Sequence, residues 1–248
     1  MPKQENPKQK NKEDRKDELE EHNGRVEVAL FPIPNVVAFP GVDLPLHVFE
    51  PRYRALVNDS VADKRMIGVC HTVKAIHEPH RRKGLKGSAD VDPQDLEKML
   101  NSNQTTYKPQ PIFSAGHCEI IETLPDGRML ANVQISQRLT LIEERQSLPY
   151  RIVMCEPLTD DEDAESNKQA AGIQTQVHEK FVQLIEQENP EMAAELKDPS
   201  WLALSPADYS FKIFHCLRLN ADLMQHVLEQ REPAERLNVL WQLLQAGD

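Results

Sequence analysis

Apolar positions along the chain follow two periods, and the change between them divides it. Val26, Val28 and Leu30 alternate with their neighbours as in a half-buried strand. The run from Leu30 to Tyr53, LFPIPNVVAFPGVDLPLHVFEPRY, is then broken by five prolines and one glycine. Helix is excluded through most of it, because proline removes a donor and biases the preceding residue towards extended geometry. The run therefore predicts short strands and tight bends. At Glu50-Pro51 the signal inverts. Pro51 suits a first helical position, Glu50 can face the helix N-terminus, and Tyr53, Leu56 and Val57 share one face of a helix ending near Ala62.

Met66–Val73 reads as a buried strand. Strand patterns return at Gly116–Thr123, Met129–Gln134, Ser136–Glu143 and Arg151–Leu158, and Leu124-Pro125-Asp126-Gly127-Arg128 supplies a hairpin turn. Beyond them the period becomes helical. Ile173, Val177, Phe181, Leu184 and Ile185 form one stripe, and Asn189-Pro190 starts a shorter helix. Ser205-Pro206-Ala207-Asp208 resembles a capping box, with Asp for Glu, and opens a helix carrying Phe211, Phe214 and Leu217. Asn220 can cap a helix bearing Leu223, Met224, Val227 and Leu228, and Pro233 begins a last one with Leu237, Leu240, Trp241 and Leu244. Such stripes need one another, since a lone helix of this length is marginal in water.

Three stretches lack either period. Residues 1–24 alternate charges and read as a disordered tail, with a stray helix from Glu13 to Glu21 as an alternative. Residues 74–110 are a long polar loop in which Asp92-Pro93 could open a brief helix to Leu100. Residues 159–168, rich in Asp and Glu, read as a linker between a β domain over 25–158 and a helical bundle over 169–248.

Charge narrows the partners. The net charge of -11 and pI near 5.3 argue against general affinity for nucleic acid or anionic lipid. Arg81-Arg82-Lys83 with Lys86 is basic but has no aromatic platform for bases. Cys70, Cys118, Cys155 and Cys216 lie far apart, which fits reduced core thiols in a cytoplasmic protein better than a zinc knuckle or a disulfide framework. No apolar run reaches the roughly 18 residues of a membrane span, and no signal-like segment opens the chain. A metal at His77-Glu78-Pro79-His80 with His71 is disfavoured, because Pro79 prevents the helix that would bring the pair to one face. No cofactor is expected.

The proline-rich run resembles the opening of the N-terminal, substrate-binding domain of Lon proteases, with its Leu-Phe-Pro, Phe-Pro-Gly, Pro-Leu-His and Phe-Glu-Pro-Arg-Tyr series. The resemblance continues at Gly116-His117-Cys118, Leu124–Arg128, Arg138 and Pro149-Tyr150, and in the helical part at Ser205-Pro206, Gln225…Leu228-Glu229 and Arg236-Leu237, covering about Arg25 to Gln245. Ile135 stands where the family commonly has glycine, which questions a local bend. The fold implied is α+β, a small PUA-like β-barrel followed by an α-helical bundle. Lon is an ATP-dependent serine protease, yet the sequence holds no Gly-x-x-x-x-Gly-Lys-[Ser/Thr] cradle and no Gly-x-Ser-x-Gly elbow, and it ends before Lon's ATPase and Ser-Lys protease domains would begin. The resemblance implies the recognition module alone, without catalysis.

The leading expectation is thus a non-catalytic module that recognises polypeptide, either unfolded chains or segments of a partner protein. A scaffold whose helices self-associate into a homo-oligomer or dock on a larger complex is the alternative, and a hydrolase ranks last. Candidate peptide-binding residues are Phe39, Val42 and Leu44 in the proline-rich run, for which core packing is an equal explanation, and Arg52 and Tyr53, for which a cap and core-edge role competes. His47 is expected buried against a backbone partner rather than acting as a base.

Overall fold

The computed structural model describes residues 24–74, 107–161 and 164–246. The tail, most of the 74–110 loop, the helices considered at Glu13–Glu21 and Asp92–Leu100, the basic cluster at Arg81 and the His77–His80 pair lie outside these residues.

The β half comprises β1 (Val26–Pro32), β2 (Asp43–Val48), β3 (Ile67–Cys70), β4 (Thr72–Lys74), β5 (Tyr107–Pro109), β6 (Ile112–Thr123), β7 (Met129–Gln146) and β8 (Arg151–Pro157), with helix α1 (Pro51–Asp63) between β2 and β3. Six strands run in the order β2-β7-β6-β3-β1-β8, and a further β7–β8 pairing closes five of them into a barrel. Among the described residues only β1–β3 is parallel, and β2 with α1 supplies the crossover that a parallel pair requires. The expected buried strand over Met66–Val73 is split at His71, because β4 leaves β3 to pair β5 in a separate ribbon.

β7 is one strand of 18 residues across Ile135, where two were expected. The bend is a bulge in β7 that a glycine of the partner strand accommodates. Gly116 pairs Ile135 while Ala115 pairs Gln137, so Ser136 is the extra residue of a bulge. A Cβ on Gly116 would stand 1.8 Å from the Gln134 carbonyl oxygen. The glycine that the bend requires therefore lies opposite Ile135 rather than at it.

Residues of β1 point alternately into two cores. Val28 and Leu30 join Phe113, Leu139 and Val153, and Ala29 and Phe31 join Leu56 and Val57 beneath α1. The helical half has α2 (Ala164–Glu188), α3 (Pro190–Leu196), α4 (Pro206–Lys212) with a following 3₁₀ turn, α5 (Ala221–Glu229) and α6 (Pro233–Ala246). Caps form where expected. Asn189 Oδ1 accepts from Met192 N–H at 3.1 Å, Asn220 Oδ1 from Leu223 N–H at 2.9 Å and Ser205 Oγ from Asp208 N–H at 3.1 Å. The box at Ser205 is incomplete, since the shorter Asp208 side chain takes the Ser205 hydroxyl at 2.6 Å. α4 also ends early: the 3₁₀ turn Ile213–His215 carries Phe214, and Leu217 lies beyond it.

The segment expected as a linker over 159–168 is shorter and is held at its start. α2 begins at Ala164, and Asp160 and Asp161 are both paired with arginines. Asp160 receives Arg138 from β7 and Arg236 from α6, whose side chains are 2% and 0% exposed. Arg138 Nη1 also donates to the carbonyls of Leu228 (2.7 Å) and Gln230 (2.6 Å), and Arg236 Nε donates to Ser210 Oγ (2.8 Å). Both guanidiniums lie over Phe211, at 5.1 Å and 4.1 Å from the ring centroid. Burial pulls Arg138 down to about 10, with Asp160 opposing the shift.

Candidate functional site

The prolines that forbid helix shape a groove of about 610 Å³ along the barrel. One wall is the end of β1 with Ile33, Pro34 and Val36. The other is β2, Leu44–Val48, followed by Phe49, while Tyr53 from α1 and Tyr150 with Arg151 from β8 complete it. β2 and β8 pair the same edge of β7, β2 over Met129–Gln134 and β8 from Leu139. β2 ends the strand order, so its outer edge meets no other strand among the described residues. Pro45 sits in this edge strand, a position proline tolerates, and withholds a ladder donor there.

Aromatic stacking organises the α1 side. Tyr53 lies on Phe31 with centroids 4.3 Å apart and planes at 21°, and the Arg52 guanidinium lies 4.5 Å over the Tyr53 ring. Pro51 takes the first helical position as expected, but Glu50 makes no side-chain cap. Its carboxylate accepts from Arg52 Nε at 2.9 Å. Burial raises the Tyr53 hydroxyl above its ordinary range, against the opposing charge of Arg52. Tyr150 ties β8 to α1, its hydroxyl donating to Asp59 Oδ2 at 2.7 Å. Burial, aided by that bond, pushes it up to about 12. The other rim cation, Arg151, has Glu144 at 3.7 Å.

Three of the five candidates meet here: Leu44, Arg52 and Tyr53 all line the groove. Phe39 does not. It is 2% exposed and stacks on Phe214 at 3.9 Å, in the core that joins barrel to helices. Val42 packs against that same core, partly buried. The turn explains their direction, because Gly41 at φ +78° donates its N–H to the Ile135 carbonyl (2.9 Å) and Ser114 Oγ to the Ala38 carbonyl (2.7 Å), fixing the loop against β6 and β7. His47, expected buried, is exposed and borders the groove, since its position in β2 alternates with buried Leu46 and Val48. His71, by contrast, is buried at 5% exposed, its Nδ1 accepting from Asn35 N–H at 3.0 Å and its Nε2 lying 3.6 Å from Asp222 Oδ1.

Sequence reasoning left out Phe49, 63% exposed at the groove. An aromatic between a strand end and a helix N-terminus, one step out of the Leu46–Val48 alternation, was the available signal. Among the described residues no group of three or more His, Cys, Asp or Glu could hold a metal ion, and no helix is long and apolar enough to cross a membrane.

Fold and groove together define a β-barrel module with an attached helical bundle and an apolar cleft. The chain belongs to the ATP-dependent protease La (LON) substrate-binding domain family, whose model matches residues 27–246. Lon protease 1 of Herpetosiphon aurantiacus is 26% identical over 124 residues, 50% of this chain and 12% of that protein. Lon protease of Flavobacterium johnsoniae is 26% identical over 181 residues, 72% of this chain and 19% of that protein. The chain thus spans less than a fifth of these relatives' lengths. The N-terminal domain of the Mycobacterium avium complex Lon protease shares the fold, with a TM-score of 0.59 at 13% identity, covering 88% of this chain and 98% of that one.

Proposed function

We propose that the groove between β1, β2 and α1 binds extended, apolar segments of polypeptide, and that this chain recognises its ligands without transforming them. One observation carries the proposal: an apolar cleft of about 610 Å³, floored by the stacked Phe31 and Tyr53 and open at Phe49. Its size suits a few side chains of a bound segment. The rim charges have partners, Arg52 with Glu50 and Arg151 with Glu144, so electrostatics favours an uncharged ligand. Pro45 interrupts the β2 edge, which favours side chains held in the cleft over a strand added to the sheet. The match to a substrate-binding domain family, with no catalytic domain matched, supports recognition over hydrolysis. The scaffold alternative has less support, because the apolar stripes of α2, α4, α5 and α6 are spent on one another and on Phe39.

Fluorescence anisotropy against one labelled model protein, in its folded and its permanently unfolded form, tests the proposal. Saturable binding of the unfolded form alone is expected. Equal binding of both forms, or of neither, would direct the search to a dedicated folded partner.

A further inference from the structure

Pro51 places Arg52 in the first turn of α1, two residues after Glu50. Glu50 Oε2 accepts from Arg52 Nε at 2.9 Å, while Arg52 Nη1 and Nη2 have no hydrogen-bond partner among the described residues. These donors are open to a ligand, because the side chain is 35% exposed and neither nitrogen is sealed from solvent. Stacking sets where they stand. Phe31 covers one face of the Tyr53 ring at 4.3 Å, so the Arg52 guanidinium, 4.5 Å from the same ring's centroid, takes the other face. The three side chains form one column, and all three line the groove. The neighbouring polar groups are engaged, the Tyr150 hydroxyl on Asp59 and Arg151 beside Glu144 at 3.7 Å.

We infer that Arg52 is a specificity-determining residue of this groove, its Nη groups donating to main-chain carbonyl oxygens of the bound segment. This role rests on the polypeptide reading of the cleft and deepens it: the ligand is recognised as an extended backbone as well as by its apolar side chains. Glu50 decides which oxygen is taken. A lone guanidinium favours a carboxylate. With Glu50 bound at Nε the pair has no net charge and keeps free donors, which suits the neutral carbonyl of an internal stretch over an acidic side chain or a chain end. Pro45 adds weight, because an edge strand interrupted by proline cannot read a backbone by continuous ladder pairing, and side-chain donors supply a substitute. The Tyr53 ring holds the guanidinium flat, so little rotamer freedom is lost when ligand binds.

The test is anisotropy of the full chain against one labelled, reduced model protein in two alkylated forms, carboxyamidomethylated and so uncharged at its cysteines, or carboxymethylated and so acidic there. Wild type, R52M, E50Q and F49S are compared, with thermal melts of each. Arg52→Met keeps an apolar cover on Tyr53 and deletes the donors. It is expected to bind the uncharged form about three- to tenfold more weakly, the range of one net hydrogen bond, with its melting temperature held. Glu50→Gln keeps the shape and leaves the Arg52 charge unmatched, so its preference should shift towards the carboxymethylated form about threefold or more relative to wild type. Wild-type affinity in R52M alongside weakened F49S would leave the groove standing and overturn the role of Arg52. An E50Q preference equal to that of wild type would overturn the selection of carbonyl over carboxylate, and it would do so even if R52M melted too low to be compared. Failure of the wild type to bind either form would overturn both the inference and the reading beneath it.

Discussion

Phe49 and Phe39 stand ten residues apart in one proline-rich run and have opposite fates, exposed in one case and 2% exposed in the other. The difference separates binding from stability. Phe49→Ser should leave the melting temperature unchanged and weaken binding of an unfolded chain about tenfold, the effect of losing most of one buried aromatic contact; unchanged affinity in titration would remove Phe49 from the site. Phe39→Ala should cost about 3–5 kcal/mol in denaturant unfolding, because it empties the stack on Phe214. The thiols give a second residue-scale test. Burial pushes Cys70 and Cys155 up to about 12 and Cys118 up to about 11. The thiolate is the reactive species, so these three should alkylate slowly in the native protein near pH 8 and promptly in denaturant. Mass spectrometry of the labelled chain reads this directly.

At the scale of elements, the joint between barrel and helices is polar at its centre. Asp160 holds two buried guanidiniums, one from β7 and one from α6. Asp160→Ala leaves both without their carboxylate and should destabilise the protein by about 3–5 kcal/mol, measured by chemical denaturation. A second element-scale effect depends on pH. Burial lowers His178 of α2 below its ordinary 6.5, although the Leu196 carbonyl opposes the shift, and its Nδ1 lies 3.2 Å from the Tyr209 hydroxyl. A depressed folded-state value means that the unfolded chain takes up the proton first. Stability should therefore be full above about pH 6.5 and fall as acidification proceeds through the folded-state value. His178→Gln should flatten that part of the pH profile in thermal melts. None of this joint was legible beforehand. Arg138, Asp160 and Arg236 are separated by long stretches of chain, and only their packing reveals that a segment of linker composition is clamped. Asn189, Ser205 and Asn220 were legible because each cap closes on an amide three residues away.

For the whole molecule, proline and glycine punctuation together with the change of period marked strands followed by helices, and the resemblance to the Lon N-terminal domain implied their arrangement as a small PUA-like barrel and a helical bundle. The lining of the candidate groove was legible in part. Leu44, Arg52 and Tyr53 follow from a strand and a helix of clear period, and they converge on the groove. Phe39 and Val42 were harder to place, because the prolines and Gly41 that shape the loop also break the alternation from which a side chain's direction is inferred, whereas the exposure of His47 follows from its alternation with Leu46 and Val48. The bend at Ile135 was hidden for another reason: its glycine sits on the partner strand. The central claim is that ligand enters between β1, β2 and α1. The most direct test is NMR shift mapping of the isotope-labelled protein titrated with a permanently unfolded polypeptide. Shifts concentrated at Phe31, Leu44, Leu46, Phe49 and Tyr53 are predicted, with α5 and α6 unaffected. Shifts confined to the helical half would contradict the account.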